Sequence, residues 1–222
     1  MSVNYHAFQN RGVLFSECEA VCEQWHSAFA GFDPERIAGI LHLETDENFL
    51  YIPYYGNPYR LRLSEGCLEK QTEEGWTDEL YFNEAMAIYH LLHYTKDIPT
   101  VSGQWVPSYS IDGVVSRNPR VPDPLFSAFC REWTGRAAEL AEACGKAGGK
   151  RLEKGDAAFQ FEVFPCLSLQ LVFWDADEDF PAQVQVFADQ RVTDFVHFET
   201  VGCLISDLME RLSQLGGASE KE

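Results

Sequence analysis

The chain has 222 residues, 45% hydrophobic and 23% charged, long enough for a sizeable core and composed like an ordinary globular protein. Its 35 acidic side chains against 17 basic ones give a formal charge of −18, a surface that repels phosphate backbones and anionic headgroups and so argues against nucleic-acid and membrane binding. No run reaches the roughly 18 apolar residues of a membrane span, residues 1–10 lack the pattern of a secretory signal, and the seven scattered cysteines read as reduced thiols in a cytoplasm.

Ser16-Glu17-Cys18-Glu19 reads as a capping box. The helix it opens carries Cys18, Val21, Cys22, Trp25 and Phe29 on one face and stops at Gly31. Asp33-Pro34 is a second N-cap, for a short helix. The period then drops to two. Leu41/Leu43, Leu50/Ile52/Tyr54 and Tyr59/Leu61/Leu63 alternate with polar neighbours, and Asp46-Glu47-Asn48 and Gly56-Asn57-Pro58 divide them into a three-stranded antiparallel meander. A helix from about Asp78 to Tyr94 follows, capped by Thr77 or Asp78, with Phe82, Ala85, Met86, Tyr89 and Leu92 facing inward.

Residues 95–123, rich in Pro, Gly and Ser, read as irregular structure around Trp105. Asp123-Pro124 opens a helix that runs to about Gly145, and Gly145 to Gly155 is a polar, Gly- and Lys-rich connector. Phe159/Phe161/Val163, Leu167/Leu169/Leu171/Phe173 and Val184/Val186 form a second set of strands. A helix from about Glu199 to Leu215 closes the chain, and 216–222 is a frayed acidic tail. Two groups of antiparallel strands, about 38–64 and 157–188, packed with about four helices, predict a single α+β domain over residues 1–215.

The segment from Leu171 to Pro181 holds the densest chemistry. Asp175, Asp177, Glu178 and Asp179 follow directly on an apolar strand, and oxygen donors gathered at a strand end suit a hard divalent cation, with Asp175, Asp177 and Asp179 as its candidate ligands. An EF-hand loop counted from Asp175 fails, because Phe180 and Val186 stand where Gly and Glu are required. A phosphotransferase of the haloacid-dehalogenase kind needs a downstream Lys, and the only one is Lys221 in the tail. The competing reading is an acidic turn whose carboxylates are solvated or cap the next element.

Cys18, Cys22 and His26 fall on successive turns of the first helix, a spacing open to a soft metal. Both thiols share the apolar face with Trp25 and Phe29 and no second ligand pair matches, so they read as core. His90 and His93, with Glu84 before them, fit a general base or metal ligand, or else imidazoles stabilised by a helix C-terminus. Gly145 to Arg151 is the one basic loop; it follows a helix and lacks the Ser or Thr of a P-loop. No Gly-x-Ser-x-Gly elbow, His-Glu-x-x-His pair or dinucleotide fingerprint occurs, which argues against several hydrolase and nucleotide-binding classes.

Leu92-His93-Tyr94, Gly103-Gln104-Trp105-Val106, Gly155-Asp156-Ala157-Ala158-Phe159, Phe164-Pro165 and Trp174-x-x-Asp177-Glu178-Asp179-Phe180-Pro181 occur in an order and spacing that resembles the bacterial and archaeal family catalogued as domain of unknown function 3786. The resemblance runs roughly from the first helix to the last. Asp179 stands where the family's Glu-Phe-Pro has Glu, which shortens that carboxylate arm by a methylene. The resemblance implies no defined activity. Some members join the domain to a cysteine-rich iron–sulfur module, which implies an accessory role near anaerobic redox or corrinoid chemistry; this chain has no such clustered cysteines, so that part does not carry over.

Two functions are expected from these residues. One is a non-catalytic accessory domain that recognises a small molecule or a protein partner in a cleft lined by Trp105 and Trp174, with Asp156, Asp177 and Asp179 at its polar end and His93 as a further candidate contact. The other is an enzyme in which Asp175, Asp177 and Asp179 hold a divalent cation while His93 acts as acid or base.

Overall fold

Phe15 shapes the start of the fold. In a computed structural model that describes residues 12–111 and 123–217, its buried ring and its N–H bond to the Leu80 carbonyl (2.8 Å) hold Phe15–Glu17 as a separate 3-10 turn. The first helix, α1 (Glu19–Phe29), therefore takes Cys18 rather than Ser16 as its N-cap, and it ends before Gly31 at φ 71°. The same N-terminal pairing bridges Leu14 to Tyr81, while the Leu80 N–H turns back onto the Asp78 carbonyl (3.0 Å), so residues 78–81 stay out of the helix. The third helix, α3 (Phe82–Tyr94), consequently starts later than predicted, with the Glu84 carboxylate accepting the Tyr81 N–H at 2.9 Å.

The Asp33 carboxylate accepts the Glu35 N–H (3.0 Å) at the head of α2 (Glu35–Leu41). Leu41 thus closes a helix instead of opening a strand. Ile37, Ala38 and Leu41 are buried together at helical spacing, and an isolated Thr45–Leu50 bridge stands where the first strand was expected. The meander has four antiparallel strands in sequence order: β1 (Phe49–Tyr54), β2 (Asn57–Arg62), β3 (Cys67–Thr72) and β4 (Gly75–Thr77). The last two were not legible in the polar run Glu69-Lys70-Gln71-Thr72. Glu69 is only 6% exposed because Arg60 (2.5 Å) and Arg62 on β2 take its carboxylate, while the Arg60 guanidinium lies 3.9 Å from the Phe49 ring centre and 4.1 Å from that of Trp76.

The second sheet runs β5-β9-β8-β7-β6, with β5 (Trp105–Pro107), β6 (Lys150–Arg151), β7 (Ala157–Phe164), β8 (Leu167–Trp174) and β9 (Gln183–Asp189), all neighbours antiparallel. Trp105, expected in irregular structure, begins its edge strand. Phe159, Phe161, Leu169, Leu171, Phe173, Val186 and Ala188 bury one face. On the other, the Gln170 amide donates to Gln160 Oε1 at 3.1 Å. The helix expected from Pro124 to Gly145 is two, α4 (Pro124–Trp133) and α5 (Ala137–Lys146), broken where Gly135 adopts φ 75°.

The closing helix, α6 (Thr200–Leu215), packs on α3, and the two sheets meet where the Tyr55 N–H reaches the Val163 carbonyl (2.8 Å). Six α-helices and two antiparallel sheets among the described residues make a mixed α+β architecture. Gly216, expected to fray, packs on Trp133 and accepts from Arg136 Nη2 at 3.1 Å. The predicted tail at 218–222, the irregular stretch 112–122 and the N-terminus through residue 11 lie outside the described residues.

Candidate functional site

The acidic segment builds the connection between β8 and β9. Asp156 closes the preceding strand pair: its N–H reaches the Phe173 carbonyl (2.9 Å) and its carboxylate accepts the Asp175 N–H (2.7 Å). Asp175 Oδ1 accepts the N–H groups of Gly135 (2.7 Å) and Ala176 (2.8 Å), tying the connection to the break between α4 and α5. Asp177 Oδ1 takes the N–H groups of Asp179 (2.9 Å) and Phe180 (2.7 Å), while the Asp177 N–H donates to the Phe180 carbonyl (3.0 Å). Three carboxylates thus shape backbone. Glu178 and Asp179 stay exposed beside two large rings that face solvent, Trp174 at 38% and Phe180 at 64%. Among the described residues no three His, Cys, Asp or Glu side chains are already arranged to hold a metal ion, so Asp175, Asp177 and Asp179 are not gathered around a common point.

The other candidates are spread out. Trp105 pairs with Asp189 and Trp174 with Gln183 at opposite ends of β9. The six-residue offset puts both on one face of the sheet but about 20 Å apart along it, which opens the expected two-tryptophan cleft too wide for one small ligand. His93 stands on α3, its ring 5.5 Å from Trp25 and 4.8 Å from Tyr94. Its neighbour His90 is a core residue, 2% exposed, with Nδ1 2.5 Å from Thr200 Oγ1 and its ring against Trp25 and Tyr94. Burial first, then the nearby His197 and His93, lower its pKa to about 3 and keep it neutral.

Several polar residues matter more than their sequence context shows. Asp194, 1% exposed, accepts Lys96 Nζ (2.6 Å), Arg191 Nη2 (2.7 Å) and both the N–H (3.2 Å) and hydroxyl (3.1 Å) of Thr100. Burial pushes its carboxyl up, but these bonds outweigh it and hold the group well below the usual carboxylate range. Asp189 accepts the N–H groups of Ser102 (3.1 Å) and Gly103 (2.7 Å), so the pair pins the loop that follows α3. Asp207 on α6 accepts the Tyr54 hydroxyl at 2.7 Å. Burial drives its pKa up to about 7; Glu84 adds to that, while Tyr54, Asn83 and Arg211 oppose it. The one sequence signal for Asp207 is its place three residues after Leu204 and four after Cys203, beside an apolar stripe.

Cys22 and Cys67 flank His26: Cys67 Sγ is 3.5 Å from Nδ1, and Cys22 Sγ is 3.7 Å from Nδ1 and 3.5 Å from Nε2. Cys18 and Cys22 are half-buried against the core rather than sealed inside it, and all seven cysteines are free thiols.

An antiparallel meander and a five-stranded antiparallel sheet, joined by helices and carrying an acid-shaped loop, define a mixed α+β domain. The chain matches the family described as Domain of unknown function (DUF3786) over residues 33–211 and belongs to it, as the motifs between Leu92 and Pro181 lead one to expect. The match begins after α1, later than those motifs suggest. No curated protein and no solved structure matches the chain.

Proposed function

We propose that this is a non-catalytic binding domain, for a small molecule or a protein partner, whose contact surface is the loop joining β8 to β9. The observation that carries the reading is the outward position of Trp174, at the end of β8, and of Phe180, on the loop that follows it and is held by the Asp156, Asp175 and Asp177 carboxylates. Exposed rings forgo the hydrophobic stabilisation of burial, on the order of 1.5–3 kcal/mol for a fully buried side chain. On a supported loop they offer contact area with little conformational entropy left to lose. Glu178 and Asp179 beside them favour a partner that carries positive charge on an apolar body.

In this reading the acids act mainly as scaffold, and the hard-cation enzyme draws no support from oxygens already engaged by backbone N–H groups. Free thiols support work in the reducing setting expected of a cytoplasmic accessory domain, and the charge of −18 disfavours nucleic acid as its ligand.

The test is ligand-observed NMR with a panel of cationic, neutral and anionic aromatic compounds and short Lys/Arg-containing peptides. Wild type is compared with a Trp174→Ala/Phe180→Ala double variant. Cationic members should give saturation-transfer signals that the double variant loses and that EDTA leaves intact. Signals that survive the double substitution would sink the proposal.

A further inference from the structure

The C-terminal half of α1 lies against the turn that leads into β3, and the two backbones approach as closely as chain geometry permits. A Cβ at Gly66 would stand 2.2 Å from the His26 carbonyl oxygen and 2.7 Å from the Ala30 nitrogen, and Gly66 adopts φ 71°. The Tyr89 hydroxyl anchors the same turn by donating to the Gly66 carbonyl at 2.8 Å. This contact fixes where Cys67, the next residue, meets the helix. Cys22 and His26 stand one turn apart on that helix, so their side chains share a face.

A zinc-class ion bonded tetrahedrally to nitrogen at about 2.0–2.1 Å and to sulfur at about 2.3 Å separates those donors by roughly 3.5 Å. The separations from His26 Nδ1 are already 3.5 Å to Cys67 Sγ and 3.7 Å to Cys22 Sγ. The charges around the three groups also suit a cation. Asp78 acts on all three, Glu65 on His26 and Cys67, and Arg62 is the opposing charge at Cys67. All three side chains are half-buried, open enough for an ion to enter.

Orientation is what an ion must complete. Cys22 Sγ is almost equidistant from the two ring nitrogens, so it lies beside the imidazole rather than along the Nδ1 lone pair. We propose that Cys22, His26 and Cys67 form a binding site for one thiophilic divalent cation of the zinc class, closed by rotation of the His26 ring and the Cys22 thiol. Two S–H bonds break, both protons pass to buffer, and two metal–sulfur bonds form while neutral His26 donates a lone pair without losing a proton. Water, or Cys18 one turn earlier on the chain, completes the fourth position. Cys22 and His26 precede the segment that matches the family, residues 33–211, while Cys67 lies within it. The site does not depend on the loop between β8 and β9.

The experiment is a titration of the reduced, chelator-stripped full chain with cobalt(II). One equivalent should produce thiolate-to-cobalt charge-transfer absorption and intense tetrahedral ligand-field bands, both abolished by zinc(II), with release of two protons per ion. Cys22→Ser and Cys67→Ser should lose the charge-transfer band, and Cys166→Ser, in the turn between β7 and β8, should keep it. On wild type alone, zinc(II) should protect Cys22 and Cys67 from alkylation in peptide mapping while leaving Cys166 as reactive as before. A cobalt complex without charge-transfer absorption, a band retained by Cys22→Ser with Cys67→Ser, or unprotected Cys22 and Cys67 would each overturn the site.

Discussion

Asp207 is the carboxyl whose protonation the fold changes most visibly, and Asp207→Asn tests that claim by a difference that no other group shares. Its pKa of about 7 in the folded protein exceeds the roughly 3.9 of an unfolded-chain Asp. Between those two values the native state keeps a proton that the unfolded state has released. The stabilisation is therefore complete below about pH 4 and is lost as pH rises toward about 7. Three units at about 1.36 kcal/mol each set a ceiling of about 4 kcal/mol. The side chain keeps some solvent contact and Arg211 lies near, which brings the expected effect to roughly 1–3 kcal/mol.

Asn retains an oxygen for the Tyr54 hydroxyl and cannot ionise. Urea denaturation of both proteins across about pH 4.5 to 8 should show the variant gaining on wild type by that amount as pH rises, with unchanged m-values. A stability difference that is flat with pH, or a variant that is the less stable protein at about pH 8, would refute the assignment of Asp207 as the group titrating there.

His90 runs the opposite way: with a folded pKa of about 3 its neutral burial is fully tolerated above about pH 6.5 and loses stability as pH falls, by about 2 kcal/mol at pH 5. His90→Gln should remove that loss, and because the Asp207 contribution rises over the same interval, wild type should show a flatter profile than either variant; a parallel shift of all three curves would contradict both assignments. Asp194→Asn weakens charge-assisted bonds to Lys96, Arg191 and Thr100 and should destabilise by about 2–4 kcal/mol in denaturant melts, against an expectation of under about 0.5 kcal/mol were the carboxylate merely decorative. Gly66→Ala, forced against the His26 carbonyl, should lose more than about 2 kcal/mol, whereas Gly39→Ala in α2, with open space around it, should gain about 0.5–1 kcal/mol; equal effects at the two sites would refute the close approach of α1 to the turn before β3.

The larger sheet was readable because its alternation is apolar and complete: Phe159/Phe161 and Leu169/Leu171/Phe173 are all buried. β3 was not, because Glu69 becomes a core-side residue only when Arg60 and Arg62 of the neighbouring strand meet it. The break at Gly135 is hidden for a related reason, since a glycine inside a helical pattern announces a stop only when the fold calls for positive φ. The site shows the same division. The acids are legible as a group, and so is a turn-making role for them, but the Asp156–Asp175 bond spans 19 residues and the Cys67–His26 contact 41. Asp189 and Asp194 show locally only their neighbour Arg191, because their other partners, Ser102, Thr100 and Lys96, lie 87, 94 and 98 residues away.

The reading of this domain as a binding module stands on Trp174 and Phe180 being held outward as a contact surface. The most direct measurement is binding of a cationic aromatic probe such as phenyltrimethylammonium, followed by NMR titration on wild type and on Trp174→Ala/Phe180→Ala. The account predicts saturable binding that the double variant loses while it still unfolds cooperatively, with stability lowered by roughly 2–4 kcal/mol because Trp174, at 38% exposed, still buries part of its ring. Binding that persists unchanged in the double variant, or that requires an added divalent ion, would contradict it.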